Sequence, residues 1–362
     1  MSQNEVMTVI QIKGESIVKD IKVLGIDLAK NIFQLHGTDA TGKCVLRKRL
    51  TRTKLIDFMA NLTPCLVGIE ACGGAHHWAR TFMNMGHEVK IISPQFVKPY
   101  VKSNKNDAND AEAIAEAVTR PTMRFVPIKT VEQQSVLLLH RARELAVKQR
   151  TAQGNQIGGL LAEFGIVIAQ GLSNLDCLPA ILEGHENQLG LACIEVFNRL
   201  YEQLKTYHDE VKYYEQKIKK HADTEPGCVE IQKIEGIGPI TASAIVAALG
   251  DTSVFKNGRE VSAWLGLVPK QHSSGNKIKL GGITKRGDRY IRKLLVHGAR
   301  SVVNTCETKT DKRSLWVADK KHRCGYNKAS VALANKNARV IWAILATGET
   351  YRHVMSHEAE AA

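Results

Sequence analysis

The chain has 362 residues, 44% of them hydrophobic and 24% charged, which excludes a disordered or fibrous protein and leads us to expect two or three domains. Its 50 Lys and Arg against 36 Asp and Glu give a net charge of +14, and residues 256–339 alone hold 20 basic and 5 acidic residues, a surface suited to a polyanion. No run approaches the roughly 20 apolar residues of a spanning helix, and the first 20 residues mix charges as no signal peptide does, so a cytoplasmic protein without a membrane partner is expected.

Beyond an N-terminal extension (1–20), the pattern of residues 21–125 predicts an α/β domain. Apolar runs Ile21–Leu28, Ile32–Gly37 and Cys44–Leu50, with Asp39 and Thr41-Gly42 as turn residues between the last two, read as a three-strand meander. A helix over Lys54–Asn61, a strand Leu66–Glu70, a helix Ala75–Met85, a strand Glu88–Ile92 and a helix from Asp107 to Arg120 complete it. Three antiparallel strands followed by alternating helix and strand is the order of a ribonuclease-H-like domain.

Residues 126–225 lose the strand pattern. Val131–Glu163 is helical in composition, and Asn174–Gly190, with Pro179, reads as a loop or helical turn. From Phe197 to His221 a heptad places Phe197, Leu204, Val211 and Ile218 on one seam position and Leu200, Tyr207, Tyr214 and His221 on the other. An antiparallel hairpin, an intermolecular coiled coil or an internal helical bundle all satisfy that seam.

Residues 226–347 predict a basic, mainly helical domain, with 348–362 as a tail. Ile234-Glu235-Gly236-Ile237-Gly238-Pro239 precedes the apolar helix Ile240–Leu249. Gly236 and Gly238 in a turn between two helices would bare backbone N–H groups to a phosphate, the helix-hairpin-helix pattern, although such turns also serve helix packing. The segment 271–286 is rich in Ser, Gly and Lys and predicts an exposed loop or hairpin.

Eight cysteines without a C-x-x-C pair, and 13 histidines whose only pair is adjacent, exclude a zinc site or a disulfide framework. The carboxylates are more informative. Asp27 ends the first predicted strand and Glu70 the fourth, while Asp107 and Asp110 lie three apart at a helix start and share a face. Clustered acids repel one another unless a cation neutralises them, and hard oxygen donors suit Mg²⁺ in phosphoryl transfer. Either helical acid alone is equally well a first-turn residue favoured by the helix dipole; an acid at a buried strand end has no such simple account.

The blocks GIDLAKNIFQLHG, GIEACGGAHHWA, PQFVKPYVKSNKNDANDAEAIAEA, IEGIGPITASAIVAALGD and AWLGLVPKQHSSGNKIKLGGITKRGD, in that order, resemble insertion-sequence transposases of the DEDD type. The resemblance is to the insertion-sequence family numbered one hundred and ten, eleven-eleven subgroup, over residues 20–345. It implies a RuvC-like domain (21–125), a coiled-coil linker (126–225) and a transposase domain (226–347). It also implies a metal-binding tetrad of Asp27, Glu70, Asp107 and Asp110 and a serine nucleophile. The serine follows the segment Gly266-Leu267-Val268-Pro269 and precedes a glycine, which is Ser274-Gly275 here, with Ser273 adjacent. The resemblance further implies a bridge RNA guide, donor and target duplex DNA, and dimers pairing into tetramers in a bacterial, nucleoid-associated setting. One subunit's tetrad would then complete another's serine site.

Lys277, Lys279, Lys285 and Arg286 lie near that serine and are candidates for phosphate contacts. Two enzymatic readings emerge: a recombinase with a covalent phosphoserine intermediate, or a junction-cutting RuvC-like endonuclease in which the tetrad activates water. A non-enzymatic nucleic-acid scaffold is the third.

Overall fold

The computed structural model describes residues 20–102, 107–169, 171–275 and 277–352, and the chain divides into two compact units, 1–130 and 131–362.

The first unit is a mixed α/β domain on a six-stranded sheet ordered β3-β2-β1-β4-β5-β6. The strands are β1 (Val23–Asp27), β2 (Ile32–Thr38), β3 (Cys44–Thr51), β4 (Leu66–Glu70), β5 (Glu88–Ile92) and β6 (Phe125–Val126). β1 to β3 form the expected antiparallel meander, and β1, β4 and β5 run parallel. The central strands VLGID and LVGIE are near-continuous apolar runs because both their faces are covered. On one face, α1 (Arg52–Ala60) and α2 (Ala75–Asn84) bury Leu55, Met59, Trp78 and Phe82 against Leu24, Ile26, Phe33 and Ile69. The short α3 (Pro94–Val97) leads toward α4 (Asp107–Val118), which covers the other face.

That second face is open to α4 because Gly25 and Gly68 are register partners across β1 and β4. A Cβ on Gly25 would lie 2.2 Å from the carbonyl oxygen of Ala111, and one on Gly68 would press Ile114 and Val118 at 3.0 Å. The helix therefore rests on bare strand backbone. β6 was not foreseen: two residues pairing antiparallel with β5 carry no periodicity to read.

The second unit is mainly helical. α5 (Val131–Ala162) and α7 (Glu186–Thr224) lie side by side, joined through α6 (Leu178–Gly184). Arg143 donates to Glu215 and Arg150 contacts His208, so the two helices run antiparallel. Phe197, Leu204, Val211 and Ile218 are all buried, so one seam of the heptad is satisfied within the chain. α7 begins at Glu186, inside the expected loop, and is interrupted at Gly190, whose φ of 70° breaks the helical backbone.

The remaining helices are α8 (Pro226–Gln232), α9 (Pro239–Leu249), α10 (Gly258–Trp264), α11 (Arg289–Thr305), α12 (Lys312–Cys324) and α13 (Tyr326–Thr347). They share a core of Ile231, Ile245, Leu295, Leu333 and Ile341. Between α10 and α11 a hairpin of β7 (Pro269–Gln271) and β8 (Leu280–Ile283) projects with almost every residue exposed. At the heart of the unit His140 lies 3.1 Å from both Ser243 Oγ and Tyr290 OH, and burial lowers its pKa to about 4. No helix of the described residues is long and apolar enough to cross a membrane.

Candidate active site

Asp27 and Glu70 end adjacent parallel strands, one residue beyond the register pair Ile26 and Ile69. Each is half-buried after three buried residues, so both carboxyl groups emerge at the same edge of the sheet. Their charge reaches Cys72: its thiol pKa is raised by burial first, and then by Asp27 and Glu70. α4 begins at Asp107 and passes over Gly25 at Ala111, which brings its first turn to this end of β1. Asp110 is half-buried in that turn. The side chain of Asp107 lies outside the described residues. Among the described residues no group of three or more His, Cys, Asp or Glu is arranged to hold a metal ion. The donors that Asp27, Glu70 and Asp110 present are all carboxylate oxygens, which in kind suit a hard divalent cation.

The later acids of α4 have a different employment. Arg47 donates to Glu112 at 2.8 Å, and Lys102 lies 3.0 Å from Glu116. Arg47, which in the sequence is one of three charges along an outer strand, is thus tied to α4. His36, buried beneath it, has its pKa lowered mainly by burial, against the pull of Glu112.

In the second unit, Ser274 sits at the hairpin tip, paired with Lys277 across an isolated bridge and followed by Gly275 at φ 58°. Gln271 Nε2 donates to Ser273 Oγ at 3.0 Å, whereas no described residue hydrogen-bonds the Ser274 hydroxyl. Lys277, Lys279, Lys285 and Arg286 are all exposed. Lys285 has φ 55°, alone among the described non-glycine residues in having a positive value. The hairpin root is fastened by backbone. A Cβ on Gly266 would meet Arg286 O at 2.0 Å and one on Gly287 would meet Trp264 O at 1.8 Å.

The turn at Gly236 and Gly238 lines a groove of about 620 Å³ shared with His297 and Gly298 of α11. Gly236 has φ 83°, and its position is pressed on Gly298 so tightly that neither glycine could carry a Cβ. Helix packing alone therefore accounts for Gly236. Gly238 has open space around it, as a phosphate approach requires.

Sequence reasoning missed Gly25, Gly68, Gly266 and Gly287. Gly25 and Gly68 had left a sign, since both strand-end acids occur in the block Gly-Ile-acid.

The comparisons supply the class that an acid-edged α/β domain followed by a basic helical unit leaves open. A DEDD-type IS110 transposase model matches residues 24–166, and the model of the IS116/IS110/IS902 transposase family matches residues 228–314. The transposase for insertion sequence element IS1111A of Coxiella burnetii is 49% identical over 341 residues, 94% of each chain. The transposase for IS1328 of Yersinia enterocolitica is 40% identical over 332 residues, covering 92% of this chain and 99% of its own. The chain belongs to the IS116/IS110/IS902 family of insertion-sequence transposases.

Proposed function

We propose that this transposase cuts and rejoins DNA with its acidic tetrad and with Ser274 as nucleophile. The observation that carries the reading is the convergence of Asp27 and Glu70 at one sheet edge, with the first turn of α4 laid over it. The strand order, with two antiparallel neighbours on one side of β1 and parallel strands on the other, supports the ribonuclease-H-like, RuvC-like description. Asp27, Glu70, Asp107 and Asp110 would hold Mg²⁺, which when bound neutralises charge on the phosphate under attack. Ser274 Oγ would form a bond to phosphorus as a deoxyribose oxygen leaves, giving a protein–DNA phosphodiester that a second DNA hydroxyl later displaces. The unengaged Ser274 hydroxyl favours it over Ser273. Lys277, Lys279, Lys285 and Arg286 would hold phosphates around the hairpin, and Gly238 would take another at the start of α9.

The function needs duplex donor and target DNA. The family's bridge RNA and its assembly of dimers into tetramers belong to the same proposal, in which the coiled-coil reading of α7 supplies a further surface. Sequencing RNA that co-purifies with the chain tests the first, and light scattering of the DNA-bound protein tests the second. For the chemistry, wild type, Asp27→Asn, Ser273→Ala and Ser274→Ala are incubated with plasmid carrying the element's ends and resolved under denaturing conditions. Protein-linked DNA from wild type and Ser273→Ala, but not from the other two, is the expected result. Cleavage by Ser274→Ala would instead favour the RuvC-like endonuclease, in which water attacks.

A further inference from the structure

A second concave surface of the helical unit is untouched by that proposal. Residues from α10, the hairpin root, α12 and α13 enclose a groove of about 1000 Å³. Its walls are apolar and aromatic, with Trp316 of α12 and Trp342 of α13 joined by Leu267, Ile283, Val331 and Val340. Four cations, Arg259, Lys328, Lys336 and Arg339, stand among them, and no acidic residue lines the groove. None of the four makes an ion pair among the described residues, whereas Lys233, Lys309, Lys321 and Arg323 of the same unit each do.

The walls are braced by contacts within the protein. Trp342 Nε1 donates to Thr252 O at 3.4 Å, and Lys336 Nζ stands 4.3 Å from the centre of the Trp316 ring. A Cβ on Gly258 would meet the Arg339 carbonyl oxygen at 2.8 Å, so the absence of a side chain there lets α10 seat on α13. Burial lowers the Lys336 pKa, with Arg313 and Arg339 adding to it, so an incoming anion meets a cation whose charge is poorly compensated.

We propose that this groove binds unpaired nucleotides of a DNA strand, with a base displacing Lys336 from the Trp316 ring and phosphates on Arg259, Lys328 and Arg339. Uncompensated positive charge selects a polyanion, and aromatic faces beside it select exposed bases, the combination that holds single strands. In a duplex the base faces are stacked on one another and cannot reach a wall recessed between helices. Each side-chain amide at the groove uses one of its polar atoms within the protein: Asn257 Oδ1 accepts from the backbone N–H of Arg259 and Glu260, and Asn335 Nδ2 donates to Leu267 O. The strand is taken as DNA because the groove adjoins the hairpin of Ser274, whose proposed substrate is a DNA strand. Leu267, Pro269 and Ile283 give the groove a wall in common with the root of the hairpin that carries Ser274. The strand held there would be one opened beside the serine, and to that extent the inference rests on the proposed function.

Binding is measured on the Ser274→Ala protein without divalent metal, so that strand chemistry does not enter. The probes are an oligothymidylate, a mixed-sequence duplex and an oligouridylate, followed by tryptophan fluorescence and by anisotropy. Oligothymidylate is expected to quench the fluorescence. Trp316→Leu, folded by circular dichroism, is expected to weaken oligothymidylate binding roughly tenfold while leaving duplex affinity unchanged. The exposed Lys328→Glu tests the same site should Trp316→Leu not fold, and is expected to weaken the single strand more than the duplex. Equal losses for single strand and duplex, or none for the single strand, would overturn the proposal. So would tight binding of oligouridylate with none of oligothymidylate. A failure here that leaves protein-linked DNA forming in the wild type rejects the groove and not the proposed reaction.

Discussion

Gly25 and Gly68 face each other in register on β1 and β4, and the absence of both side chains is what lets α4 lie on the sheet beside Asp27 and Glu70. The two approaches differ in kind. The space beside Gly25 is filled by helix backbone at 2.2 Å, which cannot turn aside, and that beside Gly68 by side-chain atoms at 3.0 Å.

Gly25→Ala is therefore expected to displace α4, lowering the melting temperature and abolishing strand cleavage together. Gly68→Ala is expected to cost less, within the about 1–3 kcal/mol of an overpacked core. Thermal denaturation of both variants beside a cleavage assay checks the order. Equal and small losses would show that α4 is not seated by these glycines.

Cys72 offers a readout of the carboxylates that needs no DNA. Asp27 and Glu70 both raise its thiol pKa, and the thiolate is the form that reacts. Asp27→Asn removes one negative charge, lowers that pKa and is expected to speed alkylation of Cys72 at about pH 8. Mass spectrometry of the Cys72 peptide, with Cys72→Ala as control, measures it. An unchanged rate would place Asp27 too far from the thiol to act.

Two histidines, His140 buried and His76 half-buried, set an acid limit on stability. His76 and His140 each have a pKa lowered from 6.5 to about 4, burial being the largest cause in both. Each is neutral in the folded chain and takes up a proton on unfolding below 6.5. Their stabilising contribution is whole above that value and declines as pH falls from 6.5 toward 4. Urea midpoints across this range, at constant ionic strength, are expected to fall in wild type and to fall less in His140→Gln. A flat profile would show that His140 is not held neutral.

The hairpin cations are expected to set a salt slope. Removing Lys277, Lys279 or Arg286 one at a time reduces the dependence of log affinity on log salt by about one unit for each phosphate no longer neutralised. Anisotropy titrations of duplex DNA at several salt concentrations give the slopes. A variant with weaker binding and an unaltered slope would place its cation away from phosphate. Lys285→Gly, which relieves a left-handed backbone as it removes a charge, is expected to bind less tightly without loss of stability.

Much of the first unit was legible because its strands are short apolar runs ended by turn residues. Leu66–Glu70 and Glu88–Ile92 stand where the pattern put them. The acids at the strand ends were legible for the same reason, since an ionisable group closing a buried run needs an explanation. Gly25 and Gly68 were not, because what they meet, Ala111 and Ile114, is supplied by a helix remote in sequence. The seam of α7 was plain as a repeat, but only the structure shows α5 covering it. The groove at Trp316 left no trace at all. Its walls come from four stretches of chain that no local pattern joins.

The fastening of Gly266 on Arg286 and of Gly287 on Trp264 makes the β7–β8 hairpin a lever with a fixed fulcrum. Strand residues advance about 3.3 Å each, so the five steps from Pro269 to Ser274 put the tip up to roughly 16 Å from its root. A few degrees of tilt at the fulcrum become an ångström or more at the Ser274 hydroxyl, enough to lose the alignment on which the proposed attack at phosphorus depends. A substitution at either glycine would thus mis-aim the arm while leaving every atom of its tip in place.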